Sequence, residues 1–239
     1  MASGTRIGII VPFDFALDRE YWRFVPPAVS LHITRTPHHD GPVGLDLARL
    51  VADPAEAADA TRTLVAIEPG VIAYACTSGS FVDGTAGEAA LREAILAAGA
   101  SRSVTTSGGL LEAARALGLR RIALGTPYTA DLGQRLADFV TAGGFEVASL
   151  ANLELEGGIA ELPDSDVIRL AEAAATTSAD AIFLSCTNLP TIDLIPELER
   201  RFGCPVISAN QVTMWAALRA VRAASTITDQ ALFRLAATA

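Results

Sequence analysis

Two cysteines stand at the ends of similar apolar segments, and their thiols are the groups of this sequence best suited to chemistry. Cys76 follows the apolar residues 71–75, and Cys186 follows residues 181–185. Such a run, closed by small polar residues, is typical of a buried parallel strand that enters its C-terminal loop. Open α/β sheets bind ligands at that edge. We therefore expect one cleft with a thiol on each wall.

Paired thiols of this kind suggest proton transfer or addition at a substrate carbon. A thiolate is a strong nucleophile and a usable base once its pKa is lowered, and we expect a helix after each cysteine to lower it. Neutral donors beside the thiols suit a carboxylate, and they suit still better the enediolate formed when its α-carbon loses a proton. These donors are Thr77, Ser78, Ser80, Thr187 and Asn188. Thiols on opposite faces could thus racemise or isomerise an acid without cofactor or metal. Alternatively, one thiol could add to a double bond, allow rotation and leave.

A structural role is the competing interpretation, because free cysteine is often a small buried hydrophobe. The duplication of the Cys-Thr pair favours function for Cys76 and Cys186. Cys204 lies between Gly203 and Pro205 without polar neighbours, so we interpret it as structural.

The elements that must position the thiols are themselves duplicated. Arg6 opens a segment that ends in Pro-Phe, and Arg121 opens one that ends in Pro-Tyr, 115 residues later; the two cysteines are 110 residues apart. Strand and helix patterns alternate throughout. We therefore predict an α/β fold of two similar Rossmann-like lobes, each a parallel sheet flanked by helices, related by a pseudo-twofold with the site between them. The predicted lobes are residues 1–118 and 119–209, and a C-terminal helix within 210–239 packs back on the first.

The loops that follow the first strand of each lobe supply further candidate residues. Pro12, Phe13 and Asp14 come directly after the strand at residues 6–11, and Tyr128 holds the equivalent place in the second lobe. We expect all four to line the cleft and bind substrate. Packing alone is the alternative for Tyr128, and the sequence leaves open whether Asn210 reaches the cleft.

Several boundaries can be predicted from turn and cap residues. Asp53 before Pro54 predicts a helix start. We expect loops at residues 13–18 and 150–163, a turn at 107–109 before a helix at 110–117, and helices at 192–202 and 211–223.

Composition excludes some classes of protein. Apolar residues make up 51% of the 239 residues and charged residues 19%, so disorder is not expected. A net charge of −9 argues against a nucleic-acid partner. No signal peptide or membrane-spanning run is visible, and three cysteines without a CxxC motif predict reduced thiols and a cytoplasmic location.

Other conspicuous residues are interpreted as structural. Adjacent His38 and His39 could suggest a metal site, but their spacing favours a solvated turn, and we predict no metal. Trp22 and Trp215 are expected to pack rather than to stack on substrate.

The two Cys-Thr pairs in duplicated lobes resemble the aspartate/glutamate racemase superfamily, in its branch with maleate cis–trans isomerase and arylmalonate decarboxylase. Residues 74–76 resemble the isomerase, whereas Thr77-Ser78 resembles the decarboxylase's dioxyanion hole. Residues 184–186 match both, and residues 192–201 resemble the decarboxylase. The resemblance implies that Tyr128 binds the substrate carboxylate. The decarboxylase has Gly in place of Cys76, so the presence of both cysteines favours two-sided chemistry.

The resulting hypothesis is a cofactor-independent isomerase or racemase of a small carboxylic acid, similar to maleate isomerase. Cys76 and Cys186 would be catalytic, and Thr77, Ser78, Tyr128 and the Thr187 N–H would bind the carboxylate and enediolate. The alternatives are an arylmalonate-type decarboxylase with Cys186 as proton donor, and a small-molecule binding protein. Homo-oligomerisation is possible.

Overall fold

The structure, a computed structural model that describes residues 4–235, contains two four-stranded parallel sheets. The first sheet consists of β1 (Thr5–Val11), β2 (Val29–Arg35), β3 (Val71–Tyr74) and β4 (Ser103–Thr105). The second consists of β5 (Arg121–Thr126), β6 (Glu146–Asn152), β7 (Ala181–Leu184) and β8 (Val206–Ser208). Their spatial orders, β2-β1-β3-β4 and β6-β5-β7-β8, are the same arrangement used twice. The predicted two-lobe α/β fold is confirmed.

Helices flank both sheets and connect the parallel strands. Those in the first half are α1 (Asp18–Phe24), α2 (Leu45–Val51), α3 (Pro54–Val65), α4 (Thr77–Phe81), α5 (Gly84–Ala97) and α6 (Thr106–Ala116). Those in the second half are α7 (Ala130–Ala142), α8 (Asp164–Ala174), α9 (Ile195–Phe202), α10 (Ala209–Ala220) and α11 (Ala231–Arg234), with a short 3-10 turn at Ile159–Glu161. The Asp53 side chain caps α3 by accepting the Ala55 N–H at 2.8 Å, as predicted. Within the described residues, no helix is long and apolar enough to cross a membrane.

The strands that carry the cysteines lie inside their sheets. β3 pairs with β1 and β4, and β7 pairs with β5 and β8. All four residues of β3 and all four of β7 are buried, which explains why both strands are apolar throughout. Cys76 and Cys186 follow two residues after these strands, at the carboxyl edge of each sheet.

Some predicted boundaries are wrong. α6 begins at Thr106, because the Thr105 side chain caps it by accepting the Gly108 N–H; residues 107–109 are therefore helical rather than a turn. β6 extends to Asn152, since it pairs with β5 along that length. α9 begins only at Ile195, and α1 was not predicted.

Helix α10 packs closely against α6 of the first lobe. The Thr106 and Thr213 hydroxyls are hydrogen-bonded at 2.7 Å. A Cβ on Gly109 would lie 2.9 Å from the Val212 carbonyl oxygen, so only glycine permits this approach. The lobe boundaries given above stay a prediction, and residues 236–239 of the predicted C-terminal segment lie outside the described residues.

Candidate active site

One cleft brings the predicted site residues together. All ten of them line it: Pro12, Phe13, Asp14, Cys76, Thr77, Ser78, Tyr128, Cys186, Thr187 and Asn188. Sequence reasoning missed six others, which are Val43, Gly44, Leu47, Ala48, Val51 and Ile159. The missed residues are mostly aliphatic and come largely from α2 and the loop before it. The i, i+4 spacing of Leu47 and Val51 was the available signal for an inward-facing stripe.

Cys76 lies at the N-cap of α4 and is surrounded by neutral donors. Its Sγ lies 3.7 Å from Ser78 Oγ. Burial is the largest effect on the thiol and raises its pKa to about 11, although hydrogen bonds from the Gly79 N–H and the Ser78 hydroxyl lower it. The negative charge of Asp14 raises it further.

Gly79 allows the donors to approach Cys76. A Cβ at this position would lie 2.5 Å from the Tyr74 hydroxyl oxygen and 3.3 Å from Cys76 Sγ. The same tyrosine hydroxyl donates to the carbonyl oxygen of Val51, on α2. Any larger side chain must therefore displace the Tyr74 hydroxyl, which packs beside the thiol.

Cys186 has a different backbone environment. Its φ is +92°, a left-handed value that is uncommon for a residue other than glycine. A turn follows it instead of the expected helix, because α9 starts nine residues later. Burial raises the pKa of the thiol to about 12. Hydrogen bonds from the Tyr128 hydroxyl and the Asn188 N–H lower the pKa, but by less than burial raises it.

The expectation that both thiols have lowered pKa values is wrong for this structure. Burial is the largest cause at each site, and the charges of the other thiol and of Asp14 raise the pKa of Cys186 as well. The chain contains no lysine, and no arginine is among the described residues that line the cleft. Neutral donors alone do not offset the desolvation of two buried thiolates.

The remaining predicted binding groups present unused or neutral polar atoms. The Thr77 hydroxyl is buried without a hydrogen-bond partner. Tyr128 is buried between the lobes, with its ring 6.1 Å from that of Phe81. An unpartnered hydroxyl beside a thiol is a ready donor for a carboxylate oxygen.

Asn188 ties the loop of the first lobe to the second. Its Oδ1 accepts the Ala16 N–H at 2.8 Å, and its Nδ2 donates to the Asp14 carbonyl oxygen at 3.2 Å. The Arg35 guanidinium holds the same loop through the Phe13 and Phe15 carbonyl oxygens. Partial burial raises the pKa of the Asp14 carboxyl, which Arg35 partly counteracts.

Several other conspicuous residues stay outside this arrangement. His39 contacts Glu56 at 3.0 Å, the exposed His38 lies near Asp40, and no metal-binding group of His, Cys, Asp and Glu occurs in residues 4–235. Trp215 is buried, as expected, whereas Trp22 is 48% exposed and does not pack in the core.

Comparison with known proteins agrees with this geometry. Residues 50–233 match the family model described as arylmalonate decarboxylase. The arylmalonate decarboxylase of Bordetella bronchiseptica is 36% identical over 165 residues, which are 67% of this chain and 69% of that protein. The maleate isomerase of Nocardia farcinica (strain IFM 10152) is 30% identical over 235 residues, covering 90% of each chain.

Solved structures extend the similarity to the fold. A liganded mutant of arylmalonate decarboxylase superimposes with a TM-score of 0.87 at 31% identity, covering 96% of this chain and 98% of that chain. In that mutant a glycine is replaced by cysteine and a cysteine by serine. A Nocardia farcinica maleate cis-trans isomerase mutant, in which a cysteine is replaced by serine, carries a covalently bound succinylcysteine intermediate. Its TM-score is 0.80 at 26% identity, covering 97% and 98% of the chains.

Proposed function

The chain belongs to the arylmalonate decarboxylase family, and from the two thiols that line its cleft we propose that it isomerises or racemises a small carboxylic acid without a cofactor. The single observation that carries the proposal is that Cys76 and Cys186, from equivalent strands of two lobes, line one cleft. Enzymes of this family provide the catalytic precedent, since a related maleate isomerase holds a succinylcysteine.

For an unsaturated diacid, the Cys76 thiolate adds to one carbon of the double bond. The π electron pair moves to form an enediolate on the adjacent carboxylate, and the Cys186 thiol gives its proton to the α-carbon. Rotation follows about the bond that is now single. The Cys186 thiolate then removes the proton, and the Cys76 thiolate leaves as the double bond re-forms. Cys76 is assigned as nucleophile because it lies at the N-cap of α4, where backbone N–H groups favour a thiolate, whereas only a turn follows Cys186.

For a saturated chiral acid, the same pair works by proton transfer alone. One thiolate removes the α-proton, and the thiol on the other face returns a proton to the enediolate. The Thr77, Ser78 and Tyr128 hydroxyls and the Thr187 N–H would stabilise the oxygens as charge develops. A thiolate with a raised pKa is scarce at neutral pH but is a stronger base once formed, which suits a weakly acidic α-carbon.

Proton NMR in D₂O tests the proposal with maleate, chiral α-substituted acids and amino acids as substrates. Formation of fumarate, or loss of the α-proton signal from a chiral acid, is the expected result. Cys76→Ala and Cys186→Ala should each abolish it, whereas Cys204→Ala, which removes the thiol outside the cleft, should leave it unchanged. Wild-type rates in both cleft variants would refute the mechanism.

Decarboxylation of a substituted malonate is the second candidate, favoured by the family match and by the neutral donors Thr77 and Ser78 beside the cleft. Cys186 would then protonate the enediolate left after carbon dioxide departs. Release of carbon dioxide from an aryl malonate, with one deuterium retained in the product and no exchange of the monoacid, would establish this reaction and remove Cys76 from the mechanism.

The setting of the enzyme forms part of the same proposal. We assign it a small carboxylate as substrate, a cytoplasmic location that keeps its thiols reduced, and no nucleic-acid or membrane partner. Self-association as a homo-oligomer is included, and light scattering of the purified chain tests it.

A further inference from the structure

The loop that carries Cys186 is fastened by a buried carboxylate from the opposite lobe. Glu20 lies on α1, in the first lobe, and is 8% exposed. We propose that Glu20 is a positioning residue for Cys186, acting through Asn210 and the backbone of residues 187–192. The proposal rests on the proposed function only for its catalytic consequence, because the positioning itself can be measured without a substrate.

Both carboxylate oxygens of Glu20 accept hydrogen bonds from residues in the second half of the chain. Oε1 accepts the N–H groups of Thr191 and Ile192 at 3.0 and 3.3 Å. Oε2 accepts the side-chain amide of Asn210 at 2.8 Å. A carboxylate is acceptor-only, so it satisfies all of these donors at once.

Asn210 extends this contact to the residue next to Cys186. Its Nδ2 also donates to the Thr187 carbonyl oxygen at 3.0 Å, while its Oδ1 is buried without a partner. The orientation of the amide is therefore set by its two donor contacts. By accepting from Nδ2, Glu20 keeps the Asn210 amide in the orientation in which Nδ2 also donates to the Thr187 carbonyl oxygen.

The Cys186 backbone needs such a restraint. A non-glycine residue at φ +92° keeps that conformation only where surrounding structure determines it. The adjoining α9 begins too late to fix it, and the neighbouring Asn188 side chain is engaged with residues 14 and 16. The Glu20–Asn210 contacts supply the restraint on the Thr187 side of the thiol.

Glutamine at this position would break the chain of contacts. Its single carbonyl oxygen could accept either from Thr191 and Ile192 or from Asn210, and its amide NH₂ would face a donor on the other side. Rotating the Asn210 amide would give that NH₂ an acceptor but would place Oδ1 against the Thr187 carbonyl oxygen. Glu20→Gln therefore releases the loop while keeping the size of the side chain.

The experiment measures alkylation of each thiol by iodoacetamide, resolved by peptide mass spectrometry, in variants whose folding is checked by thermal unfolding. Glu20→Gln should make Cys186 react about tenfold faster relative to Cys76, because a freed thiol becomes less buried and burial is what suppresses its thiolate. Asn210→Ala, which keeps the Glu20 contacts to Thr191 and Ile192, should act in the same direction and serves if Glu20→Gln fails to fold.

Glu199→Gln is the matched control. Glu199 is a half-buried carboxylate that also accepts backbone N–H groups, those of Val206 and Ala231, but it joins α9 to β8 and α11 and pairs with Arg234. It should change thermal stability without changing the Cys186 alkylation rate. An unchanged or slower Cys186 rate in folded Glu20→Gln or Asn210→Ala would overturn the positioning role.

Turnover of whichever acid the wild type accepts separates the two proposals. A misplaced proton donor should lower kcat about 10- to 100-fold with KM nearly unchanged. If Cys186 alkylation rises and kcat does not change, the positioning role stands and the catalytic role of Cys186 fails. If the wild type accepts no acid, the alkylation measurement still decides the positioning role.

Discussion

The left-handed backbone at Cys186 predicts that glycine and alanine substitutions rank differently at the two cysteines. At Cys76, φ is −132° and ψ is 119°, an ordinary extended conformation. At Cys186, φ is +92°. Each thiol is removed equally by Gly and by Ala, so comparing the two substitutions at one site leaves the backbone and the Cβ as the only differences.

The magnitudes can be estimated from these differences. Relative to alanine, glycine lowers the free energy of unfolding by about 0.4–1 kcal/mol because the unfolded chain gains entropy. The missing buried methyl group lowers it by about another 0.8 kcal/mol. Cys76→Gly should therefore be less stable than Cys76→Ala by about 1–2 kcal/mol. At Cys186, alanine retains a backbone strain of order 1–3 kcal/mol that glycine relieves. Cys186→Gly should thus be about as stable as Cys186→Ala, or more stable.

The assay is urea unfolding of the four variants, followed by tryptophan fluorescence and repeated by thermal scans. The difference between the two Gly-minus-Ala values should be about 1–3 kcal/mol, and each kcal/mol corresponds to about 2–4 °C in Tm for a chain of this size. If the glycine variant is less stable than the alanine variant by the same amount at both positions, Cys186 holds no backbone strain and its loop needs no external restraint.

Three further predictions concern the donors and charges around the thiols. Gly79→Ala should destabilise the fold by about 1–3 kcal/mol and change the alkylation rate of Cys76, because its Cβ would displace the Tyr74 hydroxyl. Gly157→Ala is the control, because a Cβ at that position meets nothing within 4 Å. Equal unfolding midpoints for the two variants would contradict the prediction. Asp14→Asn should speed iodoacetamide alkylation of both cleft thiols at fixed pH, since the Asp14 charge raises the pKa of each. Asp18→Asn is the control and should leave both rates unchanged. Slower alkylation in Asp14→Asn would contradict the prediction. Because burial favours the neutral thiol, the alkylation rate of each thiol should rise about tenfold per pH unit. The rate should level off near pH 11 for Cys76 and near pH 12 for Cys186. A plateau by pH 9 would show that the thiols are not desolvated.

The sequence predicted the fold and the wall residues of the cleft because both depend on local pattern. Buried parallel strands are apolar along their length, and repetition of the Cys-Thr pair marked the same strand end twice. The ten predicted residues therefore reach one cleft, although their individual roles stay predictions.

What the sequence did not predict depends on contacts between distant residues. The function of Glu20 follows from its contacts with residues 191, 192 and 210, which no local pattern encodes. The sign of the thiol pKa shifts was wrong because burial outweighed the local donors. The left-handed φ of Cys186 could not be predicted, because glycine is the residue type whose presence indicates such a conformation.

The packing of α10 against α6 has a consequence for synthesis on the ribosome. The first half of the chain contains a complete sheet, yet the buried face of α6 is covered by residues 209–220, which follow the last strand of the second sheet. Domains usually fold as units, N-terminal first, as they emerge. Here the core of the first half is closed only after residues 209–220 have been synthesised. The repeat in the sequence therefore does not correspond to two cotranslational folding units.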